Sequence, residues 1–489
     1  MKSISMKKLF MLLAVSLFSL TSTVTTAQVP FDMPEVAQPK IPAYEVALTD
    51  FDAVGNGQTL CTEAFSKAMK HLASKGGGRL VVPAGLWLTG PIQFESCTEL
   101  HLDRGALVIF TTDYDEYPDV ESIFEGNTRK KKMSPLWAYE KHDVAITGFG
   151  AFDGMGEAWR PSKKGKFTAN QWKKLTSGQG IEMKDVWYPD AKQDAEAGKP
   201  GAPDMRRVTY RPVMLEFTRC QRVLLKDATF SNSAAWNVHP LQCEDVTLDN
   251  VIIRNPWYAQ NGDGLDLEAC NRAIIRNSTF DVGDDAICIK SGKNAEGRSW
   301  KMPCQNVIIE GCTVLHGHGG FVIGSEMSSG ARNIYINNCV FNGTDTGLRM
   351  KSTRGRGGVV ENIYMNNIRM LNIAGDAFTF DLYYANKSVV DPDKDSSAAD
   401  AVPPVTEETP CFKNLYVSNV ICQGAARAIY FNGLPEMPLD NLHMKNSIFV
   451  SDKGAEMYYA KNITFENVKI ENSKGERITK ANVTNFVEK

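Results

Sequence analysis

The chain has 489 residues, with 54 Lys and Arg against 57 Asp and Glu for a formal net charge of −3, and 43% of it is hydrophobic. A slightly acidic balance leaves any affinity for a polyanion to local basic residues, so nucleic acid is not an expected partner. Beyond the N-terminal leader no run approaches the ~20 apolar residues of a membrane span, so no membrane partner is expected either.

Residues 1–27 read as a secretory signal, with Lys2, Lys7 and Lys8 as its basic start, Leu9 to Leu20 as its apolar core and Thr25-Thr26-Ala27 as a small-residue cleavage site. Export, to the periplasm or out of the cell, is therefore expected, and the mature chain is expected to begin at Gln28. Losing three lysines and no acid takes its formal charge to −6. No cysteine adjoins the junction, so no lipid-anchored form is expected.

Thr62 is placed to N-cap a helix running to about Ser74, with Glu63 in its first turn and Gly76-Gly77-Gly78 just past its end. The strand-like Arg79-Leu80-Val81-Val82-Pro83 follows. Two segments, residues 155–210 and 385–410, break the pattern of the rest. The first is rich in Lys, Gly and Pro around Trp159, Trp172, Trp187 and Tyr188; the second holds Asp391-Pro392-Asp393-Lys394 and Pro403-Pro404. Both read as insertions, and long loops on a rigid scaffold often carry function.

Elsewhere one phrase recurs, Asn-apolar-x-apolar-x-Asn: Asn333 to Asn338, Asn362 to Asn367, Asn414 to Asn419, Asn441 to Asn446 and Asn462 to Asn467, with looser copies ending at Asp227, Asn250, Asn277 and Gly311. Successive copies end 21 to 34 residues apart, save one gap of 52 that holds either two turns or one turn and a loop. Such a period, built of short strands with Asn or Gly at the corners, marks a solenoid. A leucine-rich repeat would need a Leu-x-x-Leu-x-Leu frame and a helix per repeat, which this chain lacks. The fold expected is all-β, a single-domain right-handed parallel β-helix over residues 28–489, its open end covered by the N-terminal helix and its corner asparagines laddered along the axis. The 11 cysteines are an odd number for an exported chain, and Cys288, Cys312, Cys339 and Cys422 lie in apolar runs, so mostly free, buried thiols are expected, with Cys61 and Cys97 as possible disulfide partners. No CxxC or His/Cys ligand spacing is present, so neither a structural metal nor a cofactor is expected.

Four polar clusters stand at the edges of apolar runs in a fixed order: Asn261-Gly262-Asp263-Gly264, Gly283-Asp284-Asp285, Gly317-His318-Gly319 and Arg349-Met350-Lys351. Taken singly, each has a bland explanation: a turn, a solvated acidic pair, a structural histidine, a solvated strand face. Together they assemble three carboxyls, one imidazole and two permanent cations. Paired carboxyls can divide the acid and base work of glycoside hydrolysis, and Arg and Lys can hold a sugar carboxylate. Arg349 and Lys351, two apart on a strand, share a face. Asp284 and Asp285 are adjacent, so on a regular strand they would point apart, and a bend or strand end is expected there.

In this order the clusters resemble the motifs Asn-Thr-Asp, Asp-Asp, Gly-His-Gly and Arg-Ile-Lys of the polygalacturonases, glycoside hydrolase family 28. Asp50-Phe51-Asp52-Ala53-Val54-Gly55 with Val82-Pro83-Ala84-Gly85 is similar to that family's N-terminal cap, and Asn237-Val238-His239-Pro240 and Gly324-Ser325-Glu326-Met327-Ser328 resemble segments of its bacterial, often exo-acting branch. Gly262 stands for Thr and Met350 for Ile, and the insertion between Trp159 and Tyr210 has no counterpart in compact endo-acting members. The resemblance implies an inverting hydrolase of α-linked galacturonan, with Asp284 as acid, Asp263 and Asp285 positioning and deprotonating the water, and His318 tuning Asp284. It also assigns Arg349 and Lys351 to the sugar carboxylate beside the scissile bond, and Asn261 to the substrate-binding edge. Crowded carboxyls are expected to keep a proton on Asp284. The partner expected is a galacturonan chain bound by a monomer, exo-cleaved if the insertion, with Lys163, Lys164, Lys166, Lys173 and Lys174, closes one end of the cleft. The alternatives are a galacturonidase of rhamnogalacturonan-derived chains, a pectate lyase, which needs Ca²⁺ and gives unsaturated products, and a non-catalytic carbohydrate-binding β-helix.

Overall fold

A computed structural model describes residues 29–178, 180–189, 205–384 and 402–489; the leader at 1–27 and the middle of each insertion lie outside the described residues. One large parallel sheet winds through the chain as a right-handed β-helix. Each turn stacks on the last in register: Val246 on Ala273, then Val307, Ile334, Ile363, Leu415 and Leu442. All seven are buried, one column of a core that runs the length of the solenoid. The 52-residue gap holds one turn and a loop, because Asn366 pairs directly with Ser418. Among the described residues no helix is long and apolar enough to cross a membrane.

The corners explain the recurring asparagines. Asn306, Asn333, Asn362, Asn414 and Asn441 hold φ between 54° and 58°, a left-handed conformation that Asn tolerates better than other residues with a side chain. Each side-chain amide donates to the asparagine one turn earlier: Asn333 to Asn306 at 3.1 Å, Asn362 to Asn333 at 3.2 Å, Asn414 to Asn362 at 3.1 Å and Asn441 to Asn414 at 2.8 Å. The ladder thus satisfies polar groups that stacking would otherwise leave unpaired.

The N-terminal helix spans Thr62–Ser74 and presses Ala64, Phe65, Ala68, Met69 and Leu72 onto the open end of the core. Its N-cap is Cys61, not Thr62: the Thr62 hydroxyl is the first helical side chain and accepts from the Gly90 N–H at 2.7 Å, tying helix to solenoid. All eleven cysteines are free thiols. Cys61 and Cys97, the possible partners, are not joined: the Cys61 thiol donates to the Thr59 carbonyl at 3.3 Å while Cys97 packs 3.8 Å from a His142 ring nitrogen.

Two excursions leave the turns near one another. In the first insertion a helix, Ala169–Thr176, is capped by Thr168 and Gln171, and Phe167 packs on Tyr258 and Trp257 of the solenoid. The second, an antiparallel hairpin of Asp119–Phe124 and Asn127–Lys132, has no counterpart in the sequence reading. Its turn is Glu125-Gly126 with φ of 51° and 73°, the positive pair that a two-residue hairpin of the primed type requires.

Asn362 accepts from one neighbour and donates to the other, so replacing it tests the ladder. Asn362→Ala should lower stability to urea unfolding by about 2–4 kcal/mol, adding left-handed strain to two lost hydrogen bonds, and Asn362→Gly, free of the strain, by about 1–2 kcal/mol.

Candidate active site

Four consecutive strands of one face, Leu265–Glu268, Asp285–Lys290, Gly319–Ile323 and Leu348–Lys351, pair in order. Asp263 precedes the first, Asp284 and Asp285 open the second, His318 precedes the third, and Arg349 and Lys351 lie on the fourth. Stacking at ~4.8 Å per turn therefore brings together clusters that are twenty to thirty residues apart in sequence. Asp284 sits in a bend, its Oδ1 accepting from the Asp285 N–H at 3.0 Å, and the strand begins only at Asp285. Both carboxyls can thereby serve one site.

The contacts divide the carboxyls by role. Asp284 Oδ1 lies 2.9 Å from His318 Nδ1. Asp285 Oδ2 accepts from Lys351 Nζ at 2.6 Å, and Arg349 stands 3.9 Å from its Oδ1. The buried Oδ1 atoms of Asp263 and Asp285 have no hydrogen-bond partner among the described residues. One oxygen each of Asp284 and Asp285 and one ring nitrogen of His318 lie within 4.8 Å of one another. Such a donor set is compact enough for a cation, but Lys351 already neutralises Asp285, and Asp284 and His318 engage each other.

Protonation departs from the sequence expectation. Burial, reinforced by Asp266 and Asp284, pushes the Asp263 carboxyl well above its ordinary range, and burial does the same to Asp266 despite Lys290 nearby. For Asp284 burial acts upward too, but the hydrogen bond and charge of His318, with Lys351 and Lys290, outweigh it and leave the carboxyl below its ordinary value. His318 is raised in turn, by its hydrogen bond to Asp284, against burial. Burial, with crowding, thus favours a proton on Asp263 and on Asp266, while in the Asp284–His318 pair the shifts favour an ionised Asp284 beside a protonated His318.

The two cations that the resemblance assigned to a sugar carboxylate differ in their surroundings. Lys351 is 6% exposed and committed to Asp285, whereas Arg349 is half-buried, with its guanidinium 5.6 Å from the centre of the Tyr384 ring. Asn261 lines the site through a left-handed corner, and its Oδ1 accepts from the buried Arg211 at 2.6 Å. The sequence reading missed Lys290, whose ammonium lies 3.0 Å from Glu326 and 3.5 Å from the fully buried Asp266. Lys290 closes the apolar run Ala286–Ile289 and Asp266 alternates with Leu265 and Leu267, and only the strand register brings the two together. Glu326 lies in a segment that the resemblance had already marked.

Two cavities meet at the Asp284–His318 pair. The smaller, about 270 Å³, is lined by Asp263, Asp284, Asp285, Lys351, Trp236 and Glu125 among others. The larger, about 650 Å³, includes His318, Arg254, Trp257, Asp345 and Lys166 of the first insertion. Lys166 Nζ stands 3.2 Å from His318 Nε2. Lys164 pairs instead with Asp185 at 3.0 Å, and Lys163, Lys173 and Lys174 are exposed.

The model of glycosyl hydrolases family 28 matches residues 199–398, a span that contains every cluster above. An exo-poly-alpha-D-galacturonosidase of Dickeya chrysanthemi is 30% identical over 75% of this chain, and a probable polygalacturonase of Vitis vinifera 29% over 67%. The aligned part spans about 60% of the length of either relative. A family 28 exopolygalacturonase of Yersinia enterocolitica has the same fold, with a TM-score of 0.70 at 20% identity over 91% of this chain and 78% of that one. The exopolygalacturonase of Thermotoga maritima superposes with a TM-score of 0.74 and is 31% identical, over 90% of this chain and 95% of that one. A match of that extent in both sequence and backbone, with the four clusters on adjacent turns, makes the chain a member of glycosyl hydrolases family 28.

Proposed function

We propose that the protein is an exported exo-polygalacturonase that hydrolyses α-1,4-galacturonosyl linkages with inversion, without a metal ion, and releases galacturonate from the non-reducing end. The reading rests on one observation: Asp284, whose Oδ1 lies 2.9 Å from His318 Nδ1, shares a cavity with Asp263 and Asp285, each of which has a buried oxygen without a hydrogen-bond partner among the described residues. Asp284, taking up the proton of its pair with His318, gives it to the glycosidic oxygen as the bond to the anomeric carbon breaks. A water held at Asp263 and Asp285 adds its oxygen to that carbon and loses a proton to a carboxylate. Entry of the substrate excludes water and brings its own negative charge, which raises Asp284 at the moment it must donate. The leader at residues 1–27 supports export, where pectic polymers are met.

Stereochemistry follows from where the water sits. Asp284 and Asp285 oxygens within 4.8 Å of each other are closer than the ~6.5–9.5 Å usual for an inverting pair, so inversion requires a water seated on Asp263 and Asp285 on the face away from the donating oxygen. Those two carboxyls line the smaller cavity, which therefore holds the sugar whose anomeric carbon is attacked. Arg349, the less committed cation, is assigned to a sugar carboxylate, and Lys351 holds Asp285 in place.

Homogalacturonan and rhamnogalacturonan digested in EDTA should distinguish the classes by product chromatography, absorbance and proton NMR. The expected result is saturated monogalacturonate from homogalacturonan, first formed as the β-anomer, with little early loss of viscosity. Unsaturated products that depend on added Ca²⁺ would identify a lyase, and binding without turnover a carbohydrate-binding protein. The two cations should separate kinetically. Lys351→Met should lower kcat/KM by about 2–5 kcal/mol, mostly through kcat, because it unpairs a buried carboxylate. Arg349→Gln should instead raise KM, by less on methyl-esterified chains; equal defects on both substrates would remove Arg349 from carboxylate recognition.

A further inference from the structure

The hairpin of Asp119–Phe124 and Asn127–Lys132 is rooted beside the catalytic face and latched at its tip. Along its strands, Lys131 Nζ and the Ser122 hydroxyl both donate to the fully buried Glu216, and next to the turn the Phe124 ring lies 4.8 Å from that of Trp236, a wall of the smaller cavity. At the tip, Glu125 lines the same cavity. The Lys293 N–H donates to the Gly126 carbonyl at 3.0 Å. Glu296, on the short helix Asn294–Trp300, accepts from the Thr128 N–H at 2.9 Å, from the Thr128 hydroxyl and from the Asn127 amide at 3.1 Å. A Cβ at Gly126 would lie 2.7 Å from both Cβ and N of Lys293, on a backbone with φ of 73°, so the tip seats this closely only because the residue is glycine. The same helix secures a second wall, since Arg298 donates to the Gly355 carbonyl at 2.6 Å and lies 3.2 Å from Glu408, fixing the loop that carries Arg356 into the cavity.

We propose that the latched hairpin tip is the wall that ends the cleft beyond a single sugar, so that Glu296 and Gly126, neither of which lines the cavity, determine exo action. The inference rests on the polygalacturonase reading above and changes which segment closes the pocket. The insertion at 155–210 reaches the larger cavity through Lys166, on the far side of the Asp284–His318 pair, where the rest of the polymer leaves. A sugar in the smaller cavity meets Glu125 and Trp236 at the hairpin instead. Releasing the tip opens a path past that sugar, and internal linkages can then reach Asp284.

The test compares the full-length enzyme with Glu296→Ala, Gly126→Val and the conservative Glu296→Gln on homogalacturonan, reading oligomers against monomer and the amide exchange of residues 125–128. In Glu296→Ala and Gly126→Val those amides should lose protection, and di- and trigalacturonate should rise about tenfold relative to monomer, the factor that ~1.4 kcal/mol represents. Glu296→Gln, which keeps an acceptor for the Thr128 N–H, should restore most of the monomer yield. Loss of protection with products still purely monomeric would overturn the inference, as would protection unchanged in both disruptive variants. A parent enzyme that itself yields mixed oligomers would also refute the closed wall, whereas a parent that hydrolyses no galacturonan would refute the functional reading instead.

Discussion

In-register stacking of parallel turns is the constraint on which everything else depends. A turn can repeat at ~4.8 Å only if its corners reverse the chain in the same place each time, and the left-handed asparagines achieve this while paying back their own polar groups through the ladder. Once register is fixed, residues at equivalent positions on successive turns become neighbours whatever their separation in sequence. Four modest clusters thereby become one site, held by a backbone that has little freedom to move them apart.

The same constraint loads the catalytic face with buried charge. Glu216, His239 and Asp266 occupy one row of the sheet, which the half-buried Arg349 continues, and Glu268, Lys290 and Lys351 lie nearby. An uncompensated buried charge costs several kcal/mol, so each needs a partner. Lys131 serves Glu216, His239 lies 2.8 Å from Glu268, Lys290 stands between Asp266 and Glu326, and Lys351 holds Asp285. Against burial, Lys290 and Lys351 also hold Glu326 well below its ordinary range. Lys131 comes from the hairpin, so the segment that walls the cleft also balances the charge beneath it.

What the sequence revealed and what it hid follow from this geometry. The repeat was legible because a left-handed corner selects Asn or Gly, and the cluster order was legible because the first three clusters each precede or open a strand at the same edge of the face and the fourth lies on the next strand. The capping helix was placed to the residue at its C-terminus, while its N-cap fell on Cys61 because the Thr62 hydroxyl was drawn to Gly90. The hairpin was hidden by its Lys-rich second strand, which reads as solvated until the buried Glu216 is seen to receive Lys131. The pairing of Asp284 with His318, and the commitment of Lys351 to Asp285, depend on distances of 2.9 Å and 2.6 Å that no spacing rule supplies.

The central claim is that Asp284 donates a proton it shares with His318. His318 is raised above its ordinary value of 6.5, so the pair keeps its proton below that raised value and loses it as pH rises through it. The decisive measurement is the pH profile of kcat/KM in the parent enzyme and in His318→Gln. The account predicts an alkaline limb above 6.5 in the parent and its displacement to lower pH, by about one unit or more, in a folded variant that cannot hold the shared proton. An alkaline limb at the same pH in both proteins would show that the proton comes from elsewhere.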